Sequence, residues 1–178
     1  MSLKEITKSL HSEAEKTEFM KSIMNRSITK EQYTNYLWQM LSVYGIIEGG
    51  IRTHGFFKNA SDLDRVSMIL LDFNELRDSN YKYYWTSETN DYASYILGLI
   101  NDPDRKHLLK AHVYVHHLGT LNGGQFIAKL VPGSGKFYQF DNVELLREEI
   151  KSELSDDLGD EAIKAFEWAI KILNSLNG

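Results

Sequence analysis

Apolar residues recur at intervals of three and four along almost the whole 178-residue chain, and no alternating run ends in a hairpin turn. A chain patterned in this way buries its apolar side chains as stripes on helices, so the expected class is all-α, a single-domain multi-helix bundle over residues 1–178. A first helix carries Leu3, Ile6, Leu10, Ala14 and Thr17 on one side and is read as continuing through Met20, Ile23 and Met24. Thr29 with Gln32 forms a capping-box signature for a second helix, bearing Tyr33, Leu37, Met40, Tyr44 and Ile47, which Gly49-Gly50 is expected to interrupt. A third is expected to start near Ser61-Asp62, and a fourth holds Tyr92, Tyr95, Ile96 and Ile100. Asp102-Pro103 punctuates the chain before a fifth helix from about Asp104 to Leu130. Asp141-Asn142 can cap a sixth, ending around Leu158-Gly159, and a seventh spans about Asp160 to Leu176.

Composition removes whole classes of function. There is no cysteine, which excludes disulfide scaffolds, thiolate metal sites, iron–sulfur clusters and cysteine nucleophiles. No run of about 18 apolar residues is present, and the polar start Met1-Ser2-Leu3-Lys4-Glu5 lacks a signal-peptide core, so the chain reads as soluble and cytoplasmic, with no membrane partner. A net charge of −5 without a long basic run argues against nucleic acid as a partner. A monomer is the expected state.

Two segments carry chemistry. Lys4, Lys8, His11 and Glu15 are spaced by four, three and four, which at about 100° per residue places them within an arc of roughly 60° beside the apolar face. A carboxylate one turn beyond a histidine can hold one imidazole nitrogen and leave the other free for a metal, and the two lysines suit the carboxylates of a large anion. On spacing alone, a solvated face with i,i+4 ion pairs is the simpler reading.

The second segment runs from Ala111 to Phe126 and reads as helix on both flanks, yet it contains Gly119, Gly123 and Gly124. Each glycine costs roughly 1 kcal/mol against alanine in a helix interior. Gly119 and Gly123 clear one stripe of side chains, near which His112 and His116 fall, so a flat or bulky ligand could approach the backbone and the helix could kink. Close helix–helix packing through small residues is the competing explanation. His112 and His116 form an H-x-x-x-H pair, but Val113 stands where a zinc protease needs its glutamate, and no histidine has the preceding glutamate of a di-iron bundle. No nucleophile elbow, Walker loop or dinucleotide fingerprint occurs.

Together these segments resemble the haem (heme) oxygenase family. The resemblance rests on His11-Ser12-Glu13-Ala14-Glu15 with Glu18-Phe19-Met20, on Ala111-His112-x-Tyr114, and on Leu118-Gly119-x-Leu121-x-Gly123-Gly124-Gln125. It extends through Tyr44 and Phe137-Tyr138-Gln139-Phe140 to nearly the whole chain. It implies that haem b (iron protoporphyrin IX), both cofactor and substrate, sits between the first helix and the glycine-notched one. His11 would be the iron ligand, oriented by Glu15. Lys4, Lys8 and Tyr114 would approach the propionates, with Arg147 and Lys151 of the sixth helix as a second basic pair. Tyr44, His116, Gly119, Thr120 and Gly123 would form the distal, catalytic side. The implied reaction is reductive, O2-dependent ring opening to biliverdin with release of CO and Fe(II), with electrons from a ferredoxin-type donor.

Three positions depart from the family pattern. Thr120 stands where an aspartate is common, His116 where arginine is common, and Ala169 near the place of an asparagine. The expectation is that the distal water network is rebuilt, with Thr120 holding a water and His116 exchanging protons at neutral pH. A non-catalytic haem carrier or sensor is the alternative. A thiaminase-like helical enzyme shares a related bundle but lacks its cysteine here.

Overall fold

A computed structural model describes residues 1–176, and every regular element among them is helical. The helices are α1 (Leu3–Glu15), α2 (Glu18–Met24), α3 (Lys30–His54), α4 (Val66–Leu76), α5 (Ser87–Ile100), α6 (Leu109–Val113), α7 (Gly119–Ile127), α8 (Val143–Ser152) and α9 (Gly159–Ser175). A π-helical turn, Tyr114–Leu118, joins α6 to α7 without a break in the rod. Short 3₁₀ turns occupy Ala60–Leu63, Lys106–Leu108, Lys136–Tyr138 and Asp156–Leu158.

α3 is the central strut. Its apolar stripe, Tyr33, Leu37, Met40, Tyr44, Ile47 and Ile51, is buried, and the helix packs against α4, α5 and α6. α9 forms a second spine along α1, α5 and α6. Ser2 caps α1 with its side chain while Glu5 reaches back to the Ser2 backbone N–H at 2.8 Å, which fixes where the site-bearing helix begins. No helix among the described residues is long and apolar enough to cross a membrane.

Several boundaries differ from the sequence expectation, each for a local reason. The first helix does not run on to Met24. It ends at Glu15, and Thr17 starts α2 by accepting from the Met20 N–H while donating to the Ala14 carbonyl at 2.9 Å. Gly49-Gly50 does not interrupt α3, which continues to His54. Gly50 is there for space: a Cβ would lie 2.6 Å from Leu109 and 2.7 Å from Ile100, where three helices meet. α4 begins at Val66, because Ala60–Leu63 forms only a 3₁₀ turn. The expected fifth helix is divided into the 3₁₀ turn, α6, the π turn and α7. The expected sixth helix stops at Ser152. Asn142 occupies its N-cap position with φ 54° and makes no side-chain cap bond.

Candidate functional site

The glycines of α7 divide by environment. A Cβ on Gly124 would lie 2.9 Å from Cβ of Tyr138, so close packing accounts for that residue. A Cβ on Gly119 or Gly123 would meet nothing within 4 Å, and both residues are exposed. Gly119 has ordinary right-handed helical angles, φ −59° and ψ −48°, which any residue adopts. Neither packing nor backbone conformation within the chain therefore offsets the helix-propensity cost at these two positions. What remains is a bare stripe of backbone beside a cavity of about 150 Å³. Its walls include Met20 and Ile23 of α2, Tyr36 and Tyr44 of α3, Gly119 and Ile127 of α7, and Tyr138.

α1 lies along α9 and presents His11 with 63% of its side chain exposed. Its ring meets Phe166 edge-on at 6.1 Å between centroids, and Glu15 Oε1 lies 3.5 Å from Nδ1. Nε2 makes no hydrogen bond to a protein partner among the described residues. Phe166, Val115 and Ala165 are buried together against Leu10 and Tyr114, and Val115 also lines the cavity. The surface around His11 and the glycine-bordered cavity thus share one apolar floor. Met24, 50% exposed, and Phe126, 57% exposed, extend the apolar walls of α2 and α7 outward.

Of the expected basic residues, Lys4 and Lys151 come together. Lys4 and Lys151 line a second cavity, of about 240 Å³, at the start of α1. Tyr114 reaches Thr7 of α1, hydroxyl to hydroxyl, at 3.3 Å. Arg147 donates through Nε to Asn122 of α7 at 2.8 Å and pairs with Glu144. Lys8 is exposed.

Tyr44 and Thr120 converge on a single atom. The Tyr44 hydroxyl, the Thr120 hydroxyl and the His116 carbonyl form a triangle, each hydroxyl 2.9 Å from the carbonyl and the two hydroxyls 2.6 Å apart, so their two protons serve three contacts: one hydroxyl donates to the other, which donates to the carbonyl. The Gly119 N–H also points at this carbonyl, in the irregular ladder that the π turn creates. Burial pushes the Tyr44 phenol well above its ordinary range, so it stays protonated.

The side chain of His116 corrects one expectation. The ring is buried, its Nε2 lies 3.0 Å from the Tyr92 hydroxyl, and burial with the neighbouring His112 and His117 pushes its pKa down to about 3. It is a neutral imidazole at neutral pH and does not cycle its charge there. The unfolded chain protonates this histidine near 6.5 and the folded chain resists until about 3, so stability falls as pH drops through that window. At roughly 1.4 kcal/mol per pH unit, acidification from pH 6.5 to 5 is expected to cost about 2 kcal/mol of unfolding free energy. Urea unfolding at the two pH values measures this, and equal midpoints would contradict it.

Sequence reasoning missed the supporting shell. Asp72 of α4 accepts the backbone N–H groups of Lys136 and Phe137, both at 2.9 Å, and buried Arg65 donates to the carbonyls of Phe137 and Gln139. These bonds hold Tyr138 against Gly124 and the cavity. Met20, Ile23, Tyr36 and Tyr92 were legible only as core. Nothing in their spacing separates a cavity wall from a helix interface.

The model of the family described as Heme oxygenase matches residues 1–174. The chain belongs to the haem oxygenase family. It is 31% identical over 163 residues to a heme oxygenase of Porphyra purpurea, covering 80% of this chain and 66% of that protein. It is 25% identical over 203 residues to heme oxygenase 1 of Synechocystis, covering 99% and 83%. The chain spans just under two-thirds of the length of the first curated relatives it matches. Among solved structures, heme oxygenase-1 of Synechocystis in complex with heme superposes with a TM-score of 0.84 at 24% identity, covering 99% of this chain and 90% of that one. Heme oxygenase of Leptospira interrogans gives a TM-score of 0.83 at 23% identity, covering 98% and 100%. These likenesses carry the haem oxygenase fold over the whole described chain.

Proposed function

We propose that this chain is a haem oxygenase that takes haem b as cofactor and substrate, opens its ring and yields biliverdin, CO and Fe(II). The observation that carries the reading is the unfilled backbone stripe at Gly119 and Gly123, beside a cavity whose Val115 wall packs with the Phe166 that an exposed His11 meets edge-on. The apolar floor of Val115 and Phe166 suits a flat macrocycle, and Lys4, Lys151, Tyr114 and Arg147 suit its propionates. When bound, the haem iron supplies dioxygen activation.

The chain's own residues do the rest. His11 would ligate the iron through Nε2, and Glu15, whose Oε1 lies 3.5 Å from Nδ1, would favour the tautomer that leaves Nε2 bare. Bare backbone at Gly119 and Gly123 would let the macrocycle approach α7 closely. Met20, Ile23 and Tyr36 exclude bulk water. Thr120 is engaged by Tyr44 and the His116 carbonyl, so its hydroxyl is oriented and supplies polarity where the family commonly has a carboxylate. Electrons come from an external ferredoxin-type donor, and the chain works as a cytoplasmic monomer.

Turnover tests the reading. Chain loaded with hemin, given ferredoxin and its reductase or ascorbate in air, is expected to release a pigment that chromatographs as biliverdin, with CO trapped by a reporter globin. Bound haem that survives this treatment unchanged would overturn the enzyme in favour of the carrier.

A further inference from the structure

Behind the cavity runs a file of buried polar groups that the reading above leaves unused. Glu161 of α9 lies 2.9 Å from Nε2 of His112; Nδ1 of His112 lies 2.6 Å from the Tyr92 hydroxyl; and that hydroxyl lies 3.0 Å from Nε2 of His116. Glu161, Tyr92, His112 and His116 are all buried. Each link has a direction, because one end is acceptor-only. Burial works to raise the Glu161 carboxyl, but hydrogen bonds from His112 and Tyr95 outweigh it and hold the group below its ordinary value, so it is a carboxylate. Burial holds His112 neutral despite that partner. A neutral His112 that donates Nε2–H to a carboxylate must offer a bare Nδ1. The Tyr92 O–H then donates to it, since burial keeps the phenol protonated. The Tyr92 oxygen is left to accept, and only an Nε2–H of His116 can supply the proton.

We infer that Glu161, acting through His112 and Tyr92, locks His116 as the Nε2–H tautomer, so that His116 presents a bare Nδ1 as a hydrogen-bond acceptor for a water molecule in the distal cavity. His116 lines that cavity, and its Nδ1 makes no hydrogen bond to the described residues. His117 gives the contrast. Its Nε2 faces Glu48 at 3.1 Å, but its Nδ1 is sealed in the core without a partner. A water that gives one proton to Nδ1 of His116 has its second O–H free to point into the cavity. The charged and titratable groups around the file are Lys164 beside Glu161, Tyr95 on α5, Tyr44 on α3 and His117 on the same rod. Glu161, His112 and Tyr92 are positioning residues. The use of the oriented water in oxygen chemistry rests on the proposed haem oxygenase reading, whereas the tautomer does not.

Long-range proton–nitrogen correlation of the haem-free chain, labelled at histidine, reads the tautomer directly, with the His116→Gln spectrum assigning the signal. The expected result is a protonated Nε2 and a bare Nδ1 at His116. Tyr92→Phe removes its acceptor, and Glu161→Gln allows the file to run in either direction. Both are expected to convert His116 to a mixture of tautomers, the second without touching His116. A proton on Nδ1 in the unaltered chain overturns the inference, as does a His116 pattern unmoved by either substitution. If one variant fails to fold, the other and the unaltered chain still decide. In the haem-loaded chain, Glu161→Gln is expected to lower turnover about 10-fold with haem affinity unchanged. A locked tautomer without pigment formation would defeat the functional reading alone. Pigment formation with the opposite tautomer would defeat only this inference.

Discussion

Substitution of His11 by alanine is expected to abolish the iron-ligated absorption band of the haem-loaded chain and, with it, pigment formation, while leaving the fold intact. The ring is 63% exposed and packs only edge-on against Phe166, so its removal opens no core cavity. Haem retains its apolar contacts with the groove, but the iron loses its protein ligand. The loss of affinity should exceed the roughly 10–100-fold typical of a residue that only supports a ligand. Glu15→Ala removes such a support, and a loss of about 10-fold is expected there. Spectrophotometric hemin titration of both variants, with circular dichroism for folding, reads the difference. A His11→Ala chain with an unaltered band would remove the basis of the proposed site.

Filling the bare stripe is expected to have opposite effects on stability and on binding. Gly119→Ala and Gly123→Ala each meet open space, so each should stabilise the haem-free chain by about 1 kcal/mol through helix propensity alone. Gly124→Ala, one residue further on, should destabilise by about 1–3 kcal/mol, because the new methyl falls 2.9 Å from Tyr138. Gly119→Leu places a branched side chain where the macrocycle would lie. Overpacking of about 1–3 kcal/mol corresponds to roughly a 5–150-fold loss in hemin affinity. Thermal melts of the haem-free variants and hemin titrations measure the two effects separately. Unchanged hemin binding by Gly119→Leu would show that the stripe is not the binding face.

The helices were readable because burial on one side of a helix writes a 3.6-residue period into the sequence, as on α3 from Tyr33 to Ile51. Their interruptions were less readable. Gly49-Gly50 looks like a stop, yet Gly50 is a contact with Ile100 and Leu109, and long-range packing has no local signature. The π turn at Tyr114–Leu118 has no signature either, since its residues suit an ordinary helix and only the spacing of carbonyl partners reveals it. At the site, Gly119 and Gly123 stand out because glycine is what a purely structural helix avoids, whereas the stripe from Lys4 to Glu15 also suits a solvated face and gains its meaning from its motif. The file from Glu161 to His116 does not, because its members come from α5, α9 and the rod of α6 and the π turn, and 49 sequence positions separate His112 from its carboxylate, Glu161. Assigning His116 a charge-cycling role follows from the ordinary pKa of histidine and fails once its burial is known.

A groove whose backbone no side chain of its own covers makes the empty polypeptide a less durable species than the filled one. An occupant that binds only the folded form raises its unfolding free energy by mass action, about 2.7 kcal/mol at a hundredfold excess over the dissociation constant. With haem as the proposed occupant, resistance of the chain to proteolysis would then rise with the haem supplied to it.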